Sequence, residues 1–235
     1  MKKSMTVTLT LLSLILIVAL VYVIQTNKIP ATTTTQQSDS AVPSQTAKMT
    51  QTAPEISPNQ LWVKDHSPIM GPKNAPVTLV EFIDPACEAC RAMYPYVKQI
   101  MKTYPDEVRL VIRYVNFHDQ SVEAIRILEA ARKQGQFKNT LEVLLAFQPA
   151  WAPHHKEAVD PWEFLTNTTV DIEKARKDVQ DPAIDKIIEL DMSDVDAAGV
   201  QKTPSFFVNG KPLKLMHPDP LLEMIKTELE ATKTL

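Results

Sequence analysis

The stretch EFIDPACEACRAMYPYV, residues 81–97, holds the two cysteines of the chain, Cys87 and Cys90. The run PVTLVEFID that leads into it is almost continuously apolar, which is typical of a strand covered on both faces in a parallel sheet. From Cys87 to Tyr104 the apolar residues recur at helical spacing, and VRLVIRYVNF at 108–117 predicts a second strand. This pattern predicts a βαβ unit with the cysteine pair at its strand-to-helix turn.

The rest of the body predicts a helical block followed by a hairpin and a last helix. Residues 119–199 are almost wholly helical in pattern, with capping carboxylates before prolines at Asp160 and Asp181. PSFFVNGKPLKL then indicates a hairpin around Asn209-Gly210, a dipeptide suited to a two-residue turn. With a final helix from Asp219, the predicted order is β-α-β, helical block, β-β-α.

The N-terminal residues differ in composition from the body. Two lysines precede Met5–Ile24, twenty residues without a charge, a length that can cross a hydrocarbon core of roughly 30 Å. No small-residue cleavage site follows, so we expect residues 1–25 to be an uncleaved single-pass anchor, with a cleaved signal peptide as the alternative. The lysines favour a cytoplasmic N-terminus. Residues 26–60, rich in Thr, Gln, Ser and Pro, predict a flexible linker without a dimerisation domain, and hence a monomer.

The sequence disfavours several functions and several uses of the cysteine pair. The net charge of −3 gives no basis for a nucleic-acid partner. A structural zinc site needs about four ligands, and the sequence has neither a second cysteine pair nor a histidine close to the first. A disulfide across two residues closes almost no loop and stabilises little. Redox chemistry without a further cofactor or metal is the leading interpretation, although His154 and His155 leave a weak metal alternative open.

The position of the pair favours redox chemistry on physical grounds. Cys87 at a helix N-terminus meets unpaired backbone N–H groups and the positive end of the helix dipole, and both lower the pKa of its thiol. Cys90 lies one turn further and is expected to be more shielded. Cys87 can then attack a disulfide, and Cys90 can resolve the mixed disulfide that results.

Three coupled features resemble the DsbA-like proteins of the thioredoxin fold. They are APVTLVEFIDPACEAC, the helical block, and GVQKTPSFFVNGKPL, and the resemblance covers about residues 62–232. It implies an α/β thioredoxin fold, βαβ and then ββα, over residues 61–235, with a helical insertion at about 119–199. The predicted fold thus joins an N-terminal transmembrane helix to a thioredoxin-like domain.

The resemblance also implies roles for residues outside the pair. Pro204 after Thr203 would be a cis-proline that faces the cysteines and shapes the substrate-binding surface. Glu81 would be a buried acid under Cys90, with a raised pKa that lets it accept the proton of that cysteine. The residues alone leave other interpretations open: Pro204 as the start of a strand, Glu81 as an exposed strand residue. Asp84 is interpreted as a turn residue.

The dipeptide between the cysteines, Glu88-Ala89, departs from the family pattern, in which many members have a proline there. A carboxylate near Cys87 opposes its thiolate, and an alanine side chain offers no donor. A less stabilised thiolate makes a weaker oxidant. We therefore expect Glu88 and Ala89 to tune the protein towards a milder oxidant than a strong DsbA.

The predicted function is a membrane-tethered thiol–disulfide oxidoreductase that donates disulfides to envelope proteins. Its catalytic domain would lie on the periplasmic side of a bacterial inner membrane. Its partners would be proteins with thiols or disulfides and a membrane redox partner, either a quinone-linked oxidase or an electron donor. The alternatives are a reductase or isomerase working in the reduced state, a thioredoxin-like copper-binding chaperone and a peptide-binding adaptor.

Overall fold

A computed structural model describes residues 61–233 of the protein. The strands are β1 (Ile69–Met70), β2 (Val77–Ile83), β3 (Val108–Tyr114), β4 (Ser205–Val208) and β5 (Lys211–Pro212). The helices are α1 (Glu88–Thr103), α2 (Ser121–Arg132), α3 (Phe137–Trp151), a 3-10 helix (Pro161–Asn167), α4 (Ile172–Asp178), α5 (Pro182–Val195) and α6 (Pro218–Thr232). The order contains the predicted βαβ unit, helical block and ββα unit.

The strands form one mixed sheet in the order β1-β3-β2-β4-β5. The central pair, β2 and β3, is parallel, and its register runs from Val77 opposite Val108 to Ile83 opposite Tyr114. The other neighbours pair antiparallel. The carboxyl ends of β2 and β3 therefore meet at one edge of the sheet, and the cysteine turn begins there.

β2 is apolar on both faces because both faces are covered. Leu79 and Ile83 belong to the core cluster that includes the buried side of α1, whereas Val80 and Phe82 pack in a second cluster on the opposite face. Side chains alternate along a strand. Glu81 consequently points to the same face as Leu79 and Ile83, towards the helix that carries the cysteines.

Element boundaries differ from the predicted ones where tertiary contacts intervene. β3 ends at Tyr114 rather than near residue 117, because the N–H of Phe117 turns to the Asp84 carboxylate instead of a neighbouring strand. α3 starts before the predicted Thr140 and continues through Pro149. Its last residue, Trp151, is buried and donates its indole N–H to a carbonyl within the helix.

The predicted caps and turn are confirmed. Asp160 and Asp181 accept hydrogen bonds from backbone N–H groups in the first turns of their helices, and the first of these helices is 3-10 rather than α. Asn209 and Gly210 both have positive φ, 47° and 80°, as a tight hairpin turn of this kind requires. The last helix begins at Pro218, one residue before the predicted Asp219, with His217 as its cap.

The predicted anchor at 1–25 and linker at 26–60 lie outside the described residues. Between residues 61 and 233, no helix combines the length and the apolar character needed to cross a bilayer. The division of the chain into anchor, linker and folded domain therefore stays a prediction. Within the described part, the helical block runs from Ser121 to Val195, between β3 and β4.

Candidate active site

Cys87 is the residue that caps the N-terminus of α1, as predicted. A tight turn after β2 brings it there: the Cys87 N–H donates to the Asp84 carbonyl at 3.0 Å, and the Ala86 N–H to the Asp84 carboxylate at 2.8 Å. Both cysteines are present as free thiols. Cys87 is 8% exposed and Cys90 is 0% exposed, so the first thiol reaches the surface and the second lies beneath it.

The surroundings of Cys87 favour its thiolate. Its pKa falls from 9.0 to about 5, chiefly because the Cys90 thiol donates a hydrogen bond to it. Partial burial opposes this shift, while hydrogen bonds from the Thr203 side chain and from the backbone at Cys90 and Ala89 add to it. At neutral pH, Cys87 is therefore ionised and nucleophilic.

The same contacts have the opposite effect on Cys90. Burial raises its pKa well above 9.0, and the hydrogen bond to Cys87 and the negative charge of Glu81 raise it further. The pair consequently consists of a thiolate at Cys87, which is 8% exposed, and a fully buried neutral thiol at Cys90. Such a pair can attack a disulfide with Cys87, and Cys90 can attack only once its proton has been removed.

Glu81 is fully buried, and the interpretation of an exposed strand residue is wrong. Neither carboxyl oxygen has a hydrogen-bond partner among residues 61–233. Burial raises its pKa from 4.5 to about 8, so the carboxyl group is mostly protonated at neutral pH. Its charge contributes to the raised pKa of Cys90, and its role as the proton acceptor of that cysteine stays a prediction.

Thr203 and Pro204 lie directly before β4 and against the cysteine turn. The peptide bond between them is cis. The Cys87 sulfur lies 3.3 Å from the Thr203 carbonyl oxygen. Thr203 is thus in contact with the Cys87 sulfur, and the role of Thr203 and Pro204 in substrate binding stays a prediction.

The dipeptide Glu88-Ala89 contacts both the thiolate and a histidine distant in sequence. The Glu88 carboxylate accepts a hydrogen bond from His154, in the segment after α3. The pKa of Glu88 is lowered by its own backbone N–H, by this hydrogen bond and by the charge of the histidine. Ala89 stabilises the Cys87 thiolate through its backbone. The tuning of the redox pair by Glu88 and Ala89 towards a milder oxidant stays a prediction.

His154 was also the weak metal candidate, together with His155. Among the described residues, no group of three or more metal-binding side chains comes together. His154 instead contacts Glu88 beside the redox pair. No observation in this part of the chain favours the copper-binding alternative.

Asp84 is more than the turn residue that its sequence position indicated. The fully buried carboxylate accepts five hydrogen bonds, among them those from the Ala86 N–H, the Phe117 N–H and the Ser121 hydroxyl. It therefore ties the cysteine turn to the end of β3 and to the start of α2. One signal could have indicated this role, namely an acidic residue at the end of a buried strand.

His118 was missed by the sequence analysis. Its Nδ1 lies 2.8 Å from the Asp84 carboxylate. Partial burial lowers the pKa of His118, but the Asp84 contact and the charges of Cys87 and Glu88 outweigh it and raise the pKa overall. Because it follows β3, it could have been placed near Cys87 from the rule that parallel strands end at one edge.

One open space lies beside the cysteine turn and another along α1. A cleft of about 290 Å³ beside the cysteine turn is lined by polar and aromatic residues that include Phe117, His118 and His154. A larger groove of about 1080 Å³ lies between α1 and α3. Neither space is lined by a cysteine, and the smaller cleft borders Ala86, the residue before Cys87.

Comparisons with known proteins agree with this geometry. The thioredoxin family model matches residues 64–227. The structure of oxidised BdbD from Bacillus subtilis has a TM-score of 0.62 and 26% identity, over 70% of this chain and 93% of that one. A "Probable disulfide bond formation protein D" from Bacillus anthracis is 25% identical over 171 residues, 68% of this chain and 76% of the relative.

A "Na(+)/H(+) antiporter NhaA" from Herminiimonas arsenicoxydans is 31% identical over 150 residues. The match covers 64% of this chain but 23% of the antiporter, so the chain spans less than a quarter of that relative. The similarity therefore concerns one part of a larger protein. The chain belongs to the thioredoxin family, among its DsbA-like members.

Proposed function

We propose that this protein is a thiol–disulfide oxidoreductase that oxidises the thiols of other proteins through Cys87 and Cys90. The observation that carries the proposal is the opposite shift of two adjacent thiols, with a pKa of about 5 for Cys87 and one well above 9.0 for Cys90. A stable Cys87 thiolate is a good leaving group, which favours passing the disulfide on. The name of the Bacillus anthracis relative supports the same direction.

In the oxidising direction, a substrate thiolate attacks the Cys87 sulfur of the Cys87–Cys90 disulfide. The bond between the cysteines breaks, and Cys90 leaves and takes up a proton, which Glu81 can supply. A second substrate thiolate then attacks the substrate sulfur of the mixed disulfide, and Cys87 leaves as the thiolate. The substrate has lost two electrons and gained a disulfide, and the cysteine pair is reduced.

The proposal includes a location and a partner. The uncharged run at residues 5–24, preceded by two lysines, supports a single-pass anchor in a bacterial inner membrane with the folded domain on the periplasmic side. The reduced pair has to be reoxidised after each cycle, and a quinone-linked membrane protein is the partner that we propose. The protein would act as a monomer on substrates that carry thiols.

Two assays of the full-length protein test the proposal, one on the protein purified in detergent and one in cells. The purified oxidised protein should reactivate reduced, unfolded ribonuclease A, and the Cys87→Ser variant should not. In cells, acid quenching and thiol alkylation should find Cys87 and Cys90 mostly oxidised. A mostly reduced pair would instead support a reductase or isomerase, and a Cys87→Ser variant that complements as wild type does would contradict an enzymatic role altogether.

A further inference from the structure

Gln148 is a buried residue of the helical block that reaches the cysteine turn. It belongs to α3 and is 1% exposed. Its side-chain amide donates to the carbonyl oxygen of Pro85 at 2.7 Å and to that of Cys87 at 2.9 Å. Its oxygen accepts a hydrogen bond from Arg91 Nε at 3.1 Å. Both N–H groups of the amide thus donate to the backbone of the turn that carries Cys87.

The hydrogen bonds to these two carbonyls hold two peptide units of the cysteine turn in a fixed orientation. A peptide unit is planar, so fixing its carbonyl also fixes the N–H on its opposite side. The carbonyl of Cys87 belongs to the same peptide unit as the Glu88 N–H, at the start of α1. Holding it therefore fixes the first peptide unit of α1, and the backbone N–H groups that follow it, those of Ala89 and Cys90, are the ones that stabilise the Cys87 thiolate.

Arg91 determines which way the glutamine amide points. A guanidinium has donors and no acceptor, so the amide oxygen has to face Arg91. The NH₂ group then faces the two carbonyls, which can only accept. The arrangement leaves no polar atom of Gln148 without a partner, and it joins α1, α3 and the turn after β2 in one network.

We propose that Gln148 is a positioning residue of the redox centre, through which the inserted helical block sets the reactivity of the cysteine turn. The inference goes beyond the proposed oxidoreductase function, because it concerns how a distant helix controls the nucleophile. It also does not depend on that function for its test, since Cys87 reacts with small alkylating reagents without any protein substrate.

The principal test is the pH dependence of Cys87 alkylation by iodoacetamide in the reduced full chain. Gln148→Leu removes both donors, which leaves the Pro85 carbonyl unpaired and the Cys87 carbonyl with only its helical bond from the Arg91 N–H. The rate at pH 5 should fall about fivefold, which is the loss of thiolate when a half-ionised thiol becomes one pH unit less acidic. Gln148→Asn keeps an amide but is one methylene too short to bridge both carbonyls, and it should lower the rate about twofold.

Leu144→Ala is the matched control, because Leu144 is a buried residue of the same helix that is not in the network. It should lower the melting temperature and leave the alkylation profile unchanged. Arg91→Met should also slow alkylation of Cys87, as Gln148→Leu does. Combined with Gln148→Leu, it should add little, because the two residues act through one contact.

The results separate positioning from general loss of structure. Profiles of Gln148→Asn and Arg91→Met that superpose on wild type would overturn the proposal, even if Gln148→Leu does not fold. So would a Leu144→Ala profile shifted as far as that of Gln148→Asn. The two proposals can fail separately. If the wild-type protein does not oxidise substrates but the Gln148 variants still shift the alkylation profile, the proposed function is refuted and the role of Gln148 is supported.

Discussion

Replacing Glu81 by glutamine should make the oxidised protein more stable at alkaline pH. Glu81 is fully buried with no hydrogen-bond partner in the described chain, and burial raises its pKa from 4.5 to about 8. A carboxyl group with a raised pKa binds its proton more tightly in the folded state. Its contribution is therefore fully present below pH 4.5 and is lost as the pH rises towards and through 8. Glutamine is neutral at every pH and removes this loss.

The size of the effect follows from the shift. Between pH 4.5 and pH 8, a shift of this extent changes the free energy of unfolding by about 4 kcal/mol, at about 1.4 kcal/mol per pH unit. At pH 7 the same calculation gives about 3 kcal/mol. For a domain of this size, 1 kcal/mol corresponds to about 2–4 °C in the melting temperature, so about 8–16 °C separates the two proteins at pH 8.

The oxidised protein is the right one to measure. In the reduced protein, the lowered pKa of Cys87 has the opposite sign: its stabilisation is lost as the pH falls through about 5, and it grows with pH above that value. The two effects then offset each other between pH 5 and 8. In the disulfide form the thiols no longer titrate, and the effect of Glu81 stands alone.

The assay is urea unfolding of the oxidised wild type and Glu81→Gln at pH 4.5, 7 and 8. We expect the two free energies of unfolding to be similar at pH 4.5 and to diverge by about 3–4 kcal/mol at the higher values. If the difference in the free energy of unfolding between wild type and Glu81→Gln stays the same from pH 4.5 to pH 8, the reasoning is refuted. That result would mean that Glu81 does not titrate with a raised pKa. The same variant should also form the mixed disulfide with substrate more slowly, because Glu81 supplies the proton that the departing Cys90 takes up.

Three further results are expected. The redox potential should lie between about −270 mV for thioredoxin and about −120 mV for DsbA, since the Cys87 pKa of about 5 falls between their values of about 7 and about 3.5; a glutathione equilibrium outside this range would contradict the link. His154→Ala should remove the histidine that pairs with the Glu88 carboxylate and slow Cys87 alkylation at pH 5 about twofold, while His155→Ala, the control, should not. Asp84→Asn should cost about 3 kcal/mol in urea unfolding at pH 7, because five donors lose a buried anionic acceptor; a cost below about 1 kcal/mol would count against that role.

The parts of the fold and site that could be predicted are those encoded locally. The switch from a buried strand to a helical pattern at Cys87 determined both the βαβ unit and the position of the nucleophile. The Asn209-Gly210 turn and the caps of Asp160 and Asp181 were equally local, since each rests on contacts within a few residues. The inward direction of Glu81 follows from strand alternation once both faces of β2 are known to be covered.

The parts that were missed depend on contacts across long stretches of sequence. His154 and Gln148 lie about sixty residues beyond the cysteine turn, and no local pattern says that they meet it. The end of β3 was placed too late for the same reason. The buried carboxylate of Asp84 takes up the N–H groups that would otherwise continue the strand.

The contacts around Cys87 change how the dipeptide between the cysteines should be understood. Glu88 does not act on the thiolate as an isolated charge, because His154 of the inserted block pairs with it. The turn that carries Cys87 is held by Gln148 from the same block. Exchanging Glu88-Ala89 for another dipeptide would therefore alter the intended charge and also release a histidine that had paired with it. The reactivity of the pair in this protein is a joint property of the dipeptide and the insertion, so a dipeptide taken from a relative will reproduce that relative's potential only if these contacts of the insertion come with it.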